Sequence, residues 1–126
     1  MKNTGAAGSA REHKAKRLLE SEGWAVTRGA GSHGQADLWA AKQEVRPLAA
    51  VNVNLPFRTD AYLTTLRLIQ VKGNTGSPYK NFSPSERLEL SSLAKQTGGT
   101  AELWHWPPRG ELKVYLEPAW PSVREP

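Results

Sequence analysis

The strand signal that ends in Gln70-Val71-Lys72 constrains the fold of this chain more than any other feature. A largely apolar run of residues 66–69 leads directly into it, so residues 62–72 are predicted to form one strand. Successive side chains of a strand point to opposite faces of the sheet, so Gln70 and Lys72 are expected to share a face. The chain is therefore expected to build a sheet with a lysine at the end of one strand.

A helix is expected near the start of the chain, beginning near Gly8 or Ser9 after a flexible segment of residues 1–7. Glu12 lies on the same helical stripe as the apolar residues Ala15 and Leu19. A carboxylate that faces inward needs a partner charge or a metal ion. An acidic residue in the first turn is equally well explained by a favourable interaction with the helix dipole, so both interpretations stay open.

Further elements are predicted from turn signals and from the alternation of apolar residues. They are a hairpin of residues 24–28 and 37–41, a strand at 48–55, a helix at 83–97, and strands at 101–106 and 112–116. Ser83 as N-cap, Pro84 at the first helical position and Glu86 in a capping box define the start of the helix. Gly98 ends it. The predicted order is αβββ(β)αββ in a single domain, with residues 117–126 as a tail of little regular structure.

Composition limits the classes of function that fit. The 126 residues suit one domain, and 17 lysine and arginine residues against 12 aspartate and glutamate residues give a net charge of +5, which favours a polyanionic partner. The chain has no cysteine, so disulfide frameworks, thiolate zinc sites and cysteine nucleophiles are excluded. No apolar stretch approaches the roughly 18 residues of a membrane span, and no secretion signal is recognised. We therefore expect an intracellular, cytoplasmic protein with no membrane partner, of cellular or viral origin.

Three motifs follow one another along the chain. They are Gly8-Ser9-Ala10-Arg11-Glu12 at the start of a helix, the stretch from Val26 to Ser32 leading to Ala36-Asp37-Leu38, and Gln70-Val71-Lys72 at the end of a strand. In this order, the chain resembles the archaeal-type Holliday junction resolvases of the PD-(D/E)XK nuclease superfamily from about residue 8 to residue 116. The resemblance implies an α/β, restriction-endonuclease-like fold, with an αβββαβ core and a central mixed sheet flanked by helices.

The resemblance also implies a set of catalytic residues and metal ligands. The implied catalytic residues are Glu12, Ser32, Asp37, Gln70 and Lys72. The implied ligands of Mg²⁺, for which Mn²⁺ would substitute, are Glu12, Asp37, Gln70 and the carbonyl of Val71. Lys72 would stabilise charge that develops on the phosphate or help to orient the attacking water.

The family is homodimeric and acts on branched DNA, which implies a second copy of the chain and a four-way junction as partners. The residues implied to contact DNA are Arg11, His13, Lys14, Arg28, Ser32 and His33. Arg28 and Ser32 would meet the phosphodiester near the cut. The implied function is that of a structure-selective, metal-dependent endonuclease that resolves four-way junctions by paired phosphodiester hydrolysis.

Three departures from the family pattern bear on this expectation. Gln70 stands where the family has an acidic ligand, which removes a negative charge but keeps an oxygen that can coordinate a hard cation. His13 stands where the family often has arginine, and histidine is mostly uncharged at neutral pH. The segment of residues 43–64 is longer than the usual strand connection and is interpreted as a hairpin insertion that meets DNA or the other subunit.

Other functions remain open at this stage. The chain could be a junction-binding protein that has lost cleavage through Gln70, or a related nuclease for flaps, nicks or plain duplex. A basic RNA-binding module is a further alternative, and it would leave Glu12, Asp37 and Lys72 far apart in space. The tryptophans could stack on bases, but most are expected in the core or an interface. Leu93 is either a dimer contact or a core residue.

Overall fold

A five-stranded mixed sheet organises the chain in the computed structural model, which describes residues 4–29, 36–47 and 60–121. The elements are α1 (Thr4–Ser21), β1 (Ala25–Arg28), β2 (Leu38–Pro47), β3 (Asp60–Lys72), α2 (Pro84–Thr97), β4 (Thr100–His105) and β5 (Lys113–Leu116). The strands lie in the order β1-β2-β3-β4-β5, and only β3 and β4 are parallel neighbours. A parallel pair needs a crossover connection, which α2 provides.

The helices cover opposite faces of the sheet. Alternation along β3 sends Leu68 into one apolar cluster, with Leu90 of α2, and Ile69 into the other, with Leu19 of α1. Leu93 of α2 packs against the same cluster as Leu90, as the core interpretation requires. The expected α/β fold with a central mixed sheet flanked by helices is confirmed. Within the described ranges, neither helix combines the length and apolarity needed to cross a bilayer.

Helix α1 begins at Thr4, earlier than the expected start near Gly8 or Ser9. Residues 5–8 contain two alanines, two glycines and no proline, and glycine weakens a helix without ending it as proline does, so the helix extends towards the N-terminus. Residues 4–7 of the segment that was expected to be flexible are therefore helical, and residues 1–3 lie outside the described residues. Ala15 and Leu19 are fully buried, as the predicted apolar stripe requires.

Helix α2 has the predicted ends. The Ser83 hydroxyl accepts from the Glu86 backbone N–H at 3.1 Å, while the Glu86 carboxylate accepts from the Ser83 backbone N–H at 3.1 Å. Pro84 occupies the first turn, and Gly98 ends the helix in the left-handed conformation, with φ of 74°. The capping interactions are local in sequence, which explains why the sequence predicts them well.

Strands β2 and β3 form one long antiparallel hairpin. Their register runs from Leu38 opposite Ile69 to Pro47 opposite Asp60. Residues 43–47 and 60–64 of the predicted insertion are thus paired strand, which makes β2 longer than its expected end at residue 41. The strand expected at 48–55 lies outside the described residues. In the described part of the chain, the element order is αβββαββ.

The segment after β5, residues 117–121, contains no helix or strand, but one of its side chains packs into the core. Trp120 is buried and packs edge-to-face on Phe82, with ring centroids 5.1 Å apart. Its indole N–H donates to the Tyr115 carbonyl at 2.8 Å. The expectation of little regular structure holds for residues 117–121, but Trp120 belongs to the core. Residues 122–126 lie outside the described residues.

A buried ion pair joins β3 to β4. Glu102, which is 2% exposed, accepts from Arg67 Nε at 2.7 Å and from Arg67 Nη2 at 2.8 Å. The same carboxylate accepts from the Trp104 indole at 3.0 Å and from the Thr100 hydroxyl at 3.1 Å. The Arg67 guanidinium also lies 4.8 Å from the centre of the Trp24 ring. This network satisfies a carboxylate that would otherwise be costly to bury.

Candidate active site

Asp37 lies immediately before β2, where β1, β2 and β3 meet. Its backbone N–H donates to the Ile69 carbonyl at 2.9 Å, and its carbonyl accepts from the Gly29 N–H at 2.8 Å. Its carboxylate Oδ2 accepts from the Val71 N–H at 2.8 Å. Gly29 leaves room for this arrangement, because a Cβ there would collide with the Ala36 carbonyl oxygen. Backbone bonds to two neighbouring strands therefore fix the position of Asp37.

The electrostatic surroundings of Asp37 show which charged groups lie near it. Burial raises the pKa of the Asp37 carboxyl from 3.8 to about 6, and the hydrogen bond from Val71 opposes this shift. The charges of Glu12 and Glu86 raise the pKa further, and the charge of Lys72 lowers it. The structure thus brings Glu12 and Lys72 within electrostatic range of Asp37. It adds Glu86, which was not among the expected site residues.

Gln70 lies on β3 between these groups. Gln70 is buried, at 7% exposure, and its Oε1 has no hydrogen-bond partner among the described residues. An amide oxygen that is buried without a donor costs on the order of 1–3 kcal/mol. The pleat of β3 places Gln70 on the same face as Lys72, as expected from their spacing. Within the described part of the chain, the site therefore contains a buried oxygen without a donor.

Lys72 and Glu86 connect the end of β3 to the start of α2. The Lys72 ammonium lies 3.6 Å from Glu86 Oε2. The other oxygen of Glu86 accepts from the Ser83 N–H in the capping box. Lys72 is consequently held on the face of the sheet that carries Gln70, and not released into solvent.

Glu12 faces Arg28 at the end of β1. Its Oε1 accepts from Arg28 Nη2 at 2.9 Å and from Arg28 Nε at 3.2 Å. Because α1 begins at Thr4, Glu12 lies in its third turn, and the explanation by the helix dipole in the first turn is wrong. The carboxylate instead has a partner charge, Arg28. In the free protein, Glu12 is engaged with an arginine that was expected to contact DNA.

Arg28 also contacts two further side chains of α1, Ser9 and His13, of which His13 was expected to contact DNA. Its Nη2 donates to the Ser9 hydroxyl at 3.1 Å, and its Nη1 lies 3.0 Å from His13 Nε2. Arginine has no acceptor, so in this contact the guanidinium donates and His13 Nε2 accepts. His13 therefore orients Arg28, in addition to its expected role in contacting DNA.

Arg11 and Lys14 lie beside the strand ends. The Arg11 side chain passes so close to Gly73 that a Cβ at residue 73 would collide with its Nε, Cζ and Cδ. The Lys14 ammonium lies 4.2 Å from the centre of the Trp106 ring. Trp106 in turn donates its backbone N–H to the Lys72 carbonyl at 2.8 Å. Two of the expected DNA-binding residues thus flank the end of β3.

The oxygen donors at this place suit a hard divalent cation. The Asp37 carboxylate, the unpartnered Gln70 oxygen and the expected Val71 carbonyl are ligand types that Mg²⁺ prefers. Among the described residues, no three histidine, aspartate or glutamate side chains converge into a ready-made metal cage. Mg²⁺ keeps several waters and needs only one or two carboxylates, so the donor set fits this ion without such a cage.

Two of the expected site residues lie outside the described residues, and the sequence did not predict that Glu86 lies near the site. Ser32 and His33 lie between residues 29 and 36, outside the described residues. Glu86 was assigned only to the capping box. The topology contained a signal for the contact of Glu86 with Lys72, because a helix that connects two parallel strands starts near the end of the first strand.

Comparison with solved structures supports the fold. Hjc, described as a Holliday junction resolvase from the archaeal hyperthermophile Archaeoglobus fulgidus, matches with a TM-score of 0.59 and 20% sequence identity. The match covers 87% of this chain and 72% of that chain. Searches of protein-family models and of curated protein sequences give no match. The resemblance to archaeal-type resolvases is thus confirmed in the fold, which is restriction-endonuclease-like.

Proposed function

We propose that this protein is a structure-selective, metal-dependent DNA endonuclease of the Holliday junction resolvase type, acting inside the cell in recombination and repair. It would bind four-way junctions and hydrolyse phosphodiester bonds in pairs. The cofactor would be Mg²⁺, with Mn²⁺ as a substitute. A homodimer would supply the two sites that paired incision needs.

One observation carries this proposal. In a fold shared with a Holliday junction resolvase, Asp37 is fixed by the backbone of Val71 while Lys72 and Glu12 act on it electrostatically. A basic RNA-binding module has no need of two acids and a lysine around one point. This convergence favours a nuclease over that alternative.

Each residue has a definite task in this proposal. Asp37, Gln70 and the Val71 carbonyl would hold the cation, with Glu12 reaching it directly or through water. The bound cation would supply Lewis-acid stabilisation of negative charge and make water a better nucleophile. Lys72 would orient the attacking water or stabilise charge on the phosphate oxygens. Arg28 would contact the phosphodiester near the cut, with Ser32 as the second expected contact.

Recognition would depend on shape and charge. Arg11 and Lys14 lie beside the strand ends that carry the site, where they would meet backbone phosphates. Phosphate contacts position a protein on DNA without reading sequence, and they make affinity fall as salt rises. His33 would add a further DNA contact, and the paired arms of residues 43–47 and 60–64 would reach DNA or the second subunit.

Gln70 favours one rival proposal, that of a junction-binding protein without cleavage. A neutral ligand holds a divalent cation less tightly than a carboxylate does, so a site with Gln70 would bind Mg²⁺ more weakly than one with an acid there. A nuclease for flaps, nicks or duplex would use the same residues on a different substrate. Cleavage measurements separate these proposals.

The test is cleavage of a labelled immobile four-way junction beside a linear duplex of the same sequence, with Mg²⁺, with Mn²⁺ and with EDTA. We expect paired, symmetric incisions in the junction alone, and only with a divalent ion. The Asp37→Asn variant should not cut. A junction that is bound but not cut would favour the binding protein, and cutting of flaps or duplex at equal rates would favour the other nuclease.

A further inference from the structure

The first turn of α2 brings to the site a carboxylate that the three motifs do not include. We infer that Glu86 is the second acidic ligand of the proposed metal site, where it supplies the negative charge that Gln70 lacks. This inference rests on the proposed function and assigns a residue within the same site.

The topology places Glu86 on the correct face of the sheet. Helix α2 packs on the face of β3 that carries Leu68, and alternation along the strand puts Gln70 and Lys72 on that face as well. Because α2 is the element that follows β3, its first turn lies at the end of β3 where Lys72 stands. The distance of 3.6 Å between Lys72 Nζ and Glu86 Oε2 shows that the two side chains meet there.

The capping box orients the Glu86 carboxylate. Oε1 accepts from the Ser83 N–H at 3.1 Å, so one oxygen is occupied by the helix start. Oε2 faces the Lys72 ammonium. The Glu86 side chain is 32% exposed, so a cation from solvent can reach it. The helix thus holds one carboxylate oxygen and leaves the other directed towards the site.

The charge balance of the site requires such a group. The charges of ionised Asp37 and Lys72 cancel, which leaves no net attraction for a cation. Glu12 is engaged with Arg28, so its charge is largely neutralised in the free protein. Ionised Glu86 makes the sum of Asp37, Glu86 and Lys72 negative, which favours the binding of a divalent cation.

The buried oxygen of Gln70 independently indicates a ligand at this place. Gln70 is more than nine-tenths buried, and no described residue donates to its Oε1, on the face where Asp37, Lys72 and Glu86 meet. A cation between two carboxylates and this oxygen would satisfy it. Two charged oxygens with one neutral oxygen form a ligand set that suits Mg²⁺ or Mn²⁺.

The test measures Mn²⁺ affinity by electron paramagnetic resonance in the absence of DNA. Glu86→Gln removes the charge but keeps the capping box, because glutamine also caps at this position. We expect its Mn²⁺ dissociation constant to rise on the order of tenfold or more, as for other losses around metal sites. Glu89→Gln, which removes an exposed charge from the same helix, should leave the affinity unchanged.

Two further variants separate metal binding from the positioning of Lys72. If Glu86 binds the metal, Glu86→Gln should weaken Mn²⁺ binding equally in a Lys72→Met background. Adding Gln70→Glu to Glu86→Gln should restore Mn²⁺ affinity, because it returns a carboxylate to the same face. An effect of Glu86→Gln that vanishes without Lys72 would mean that Glu86 only positions the lysine, and would overturn the inference.

The inference and the proposed function can fail separately. If the parent cuts junctions and Glu86→Gln binds Mn²⁺ as tightly as the parent, the inference is wrong and the function stands. If the parent binds Mn²⁺ through Glu86 but cuts no junction, the metal site stands and the proposed function is wrong. A parent that binds no Mn²⁺ would overturn both.

Discussion

Arg28 holds Glu12 through a single carboxylate oxygen, at 2.9 Å from Nη2 and 3.2 Å from Nε. The two side chains are 35% and 21% exposed, respectively, so the pair is only partly shielded from solvent. Ion pairs of this kind contribute up to about 1 kcal/mol to stability. The interaction therefore matters more for keeping Arg28 and Glu12 in place than for holding the fold together.

Arg28→Met should weaken junction binding without unfolding the protein. Loss of one phosphate contact is expected to lower affinity and to reduce the slope of log affinity against log salt by about one. Fluorescence anisotropy of a labelled junction over a series of KCl concentrations measures both. Lys95→Met is the matched control. It removes an exposed charge from the last turn of α2, whereas the candidate site lies at the first turn of that helix. An equal loss in both variants would contradict a specific contact by Arg28.

Asp37→Asn should stabilise the metal-free protein at neutral pH. The pKa of Asp37 is raised to about 6 in the folded protein, so the folded state binds this proton more tightly than the unfolded state does. The parent therefore loses stability as pH rises from about 4 to about 6, by up to about 3 kcal/mol. The asparagine variant should avoid this loss.

Urea unfolding in EDTA from pH 4 to pH 8 measures the effect. The difference between Asp37→Asn and the parent should be small at pH 4 and largest above pH 6. A difference that does not change with pH would mean that the Asp37 carboxyl titrates normally. Glu89→Gln serves as the control for loss of an exposed carboxylate from α2.

Gly73→Ala should act through Arg11. The added Cβ would meet the end of the Arg11 side chain, which is flexible, so the protein should fold while the guanidinium moves away from β3. Junction affinity should fall as it does in Arg11→Met, and the double variant should be no weaker than either single variant. Gly8→Ala is the control, because a Cβ there meets nothing within 4 Å. Additive losses would show that residue 73 acts independently of Arg11.

Arg67→Met should be the most damaging of these changes to stability. It leaves Glu102, at 2% exposure, buried without its partner charge, and such losses cost about 3–5 kcal/mol. Urea unfolding at pH 7 measures the change in free energy. Lys42→Met is the comparison, since Lys42 lies 5.6 Å from the same Trp24 ring but has no buried carboxylate. Its expected loss is below about 1 kcal/mol.

Local signals predicted the parts of the fold that depend on neighbouring residues. Ser83 and Gly98 define both ends of α2 by interactions within a few residues, and the largely apolar run before Lys72 predicts β3. The start of α1 at Thr4 was missed because Gly5 and Gly8 weaken a helix without ending it. The anchoring of Trp120 was missed because it depends on Phe82, which is distant in sequence.

The candidate site was predictable only in part, because some of its contacts join residues that are distant in sequence. The motifs identified Asp37, Gln70 and Lys72, and the structure brings them to one end of the sheet. The pairing of Glu12 with Arg28 depends on how α1 packs beside β1, which the sequence does not specify. The role of Glu86 was hidden because its capping function already explained its position.

The contact between Lys14 and Trp106 gives the protein an optical reporter of DNA docking. The Lys14 ammonium lies 4.2 Å from the centre of the indole ring, and under the proposed function it would leave the ring to meet a phosphate. Tryptophan emission responds to a nearby charge, so junction binding should change the fluorescence of Trp106 without any attached dye. The signal should be absent in Lys14→Met, and the protein itself would then report how fast and how tightly it engages a junction.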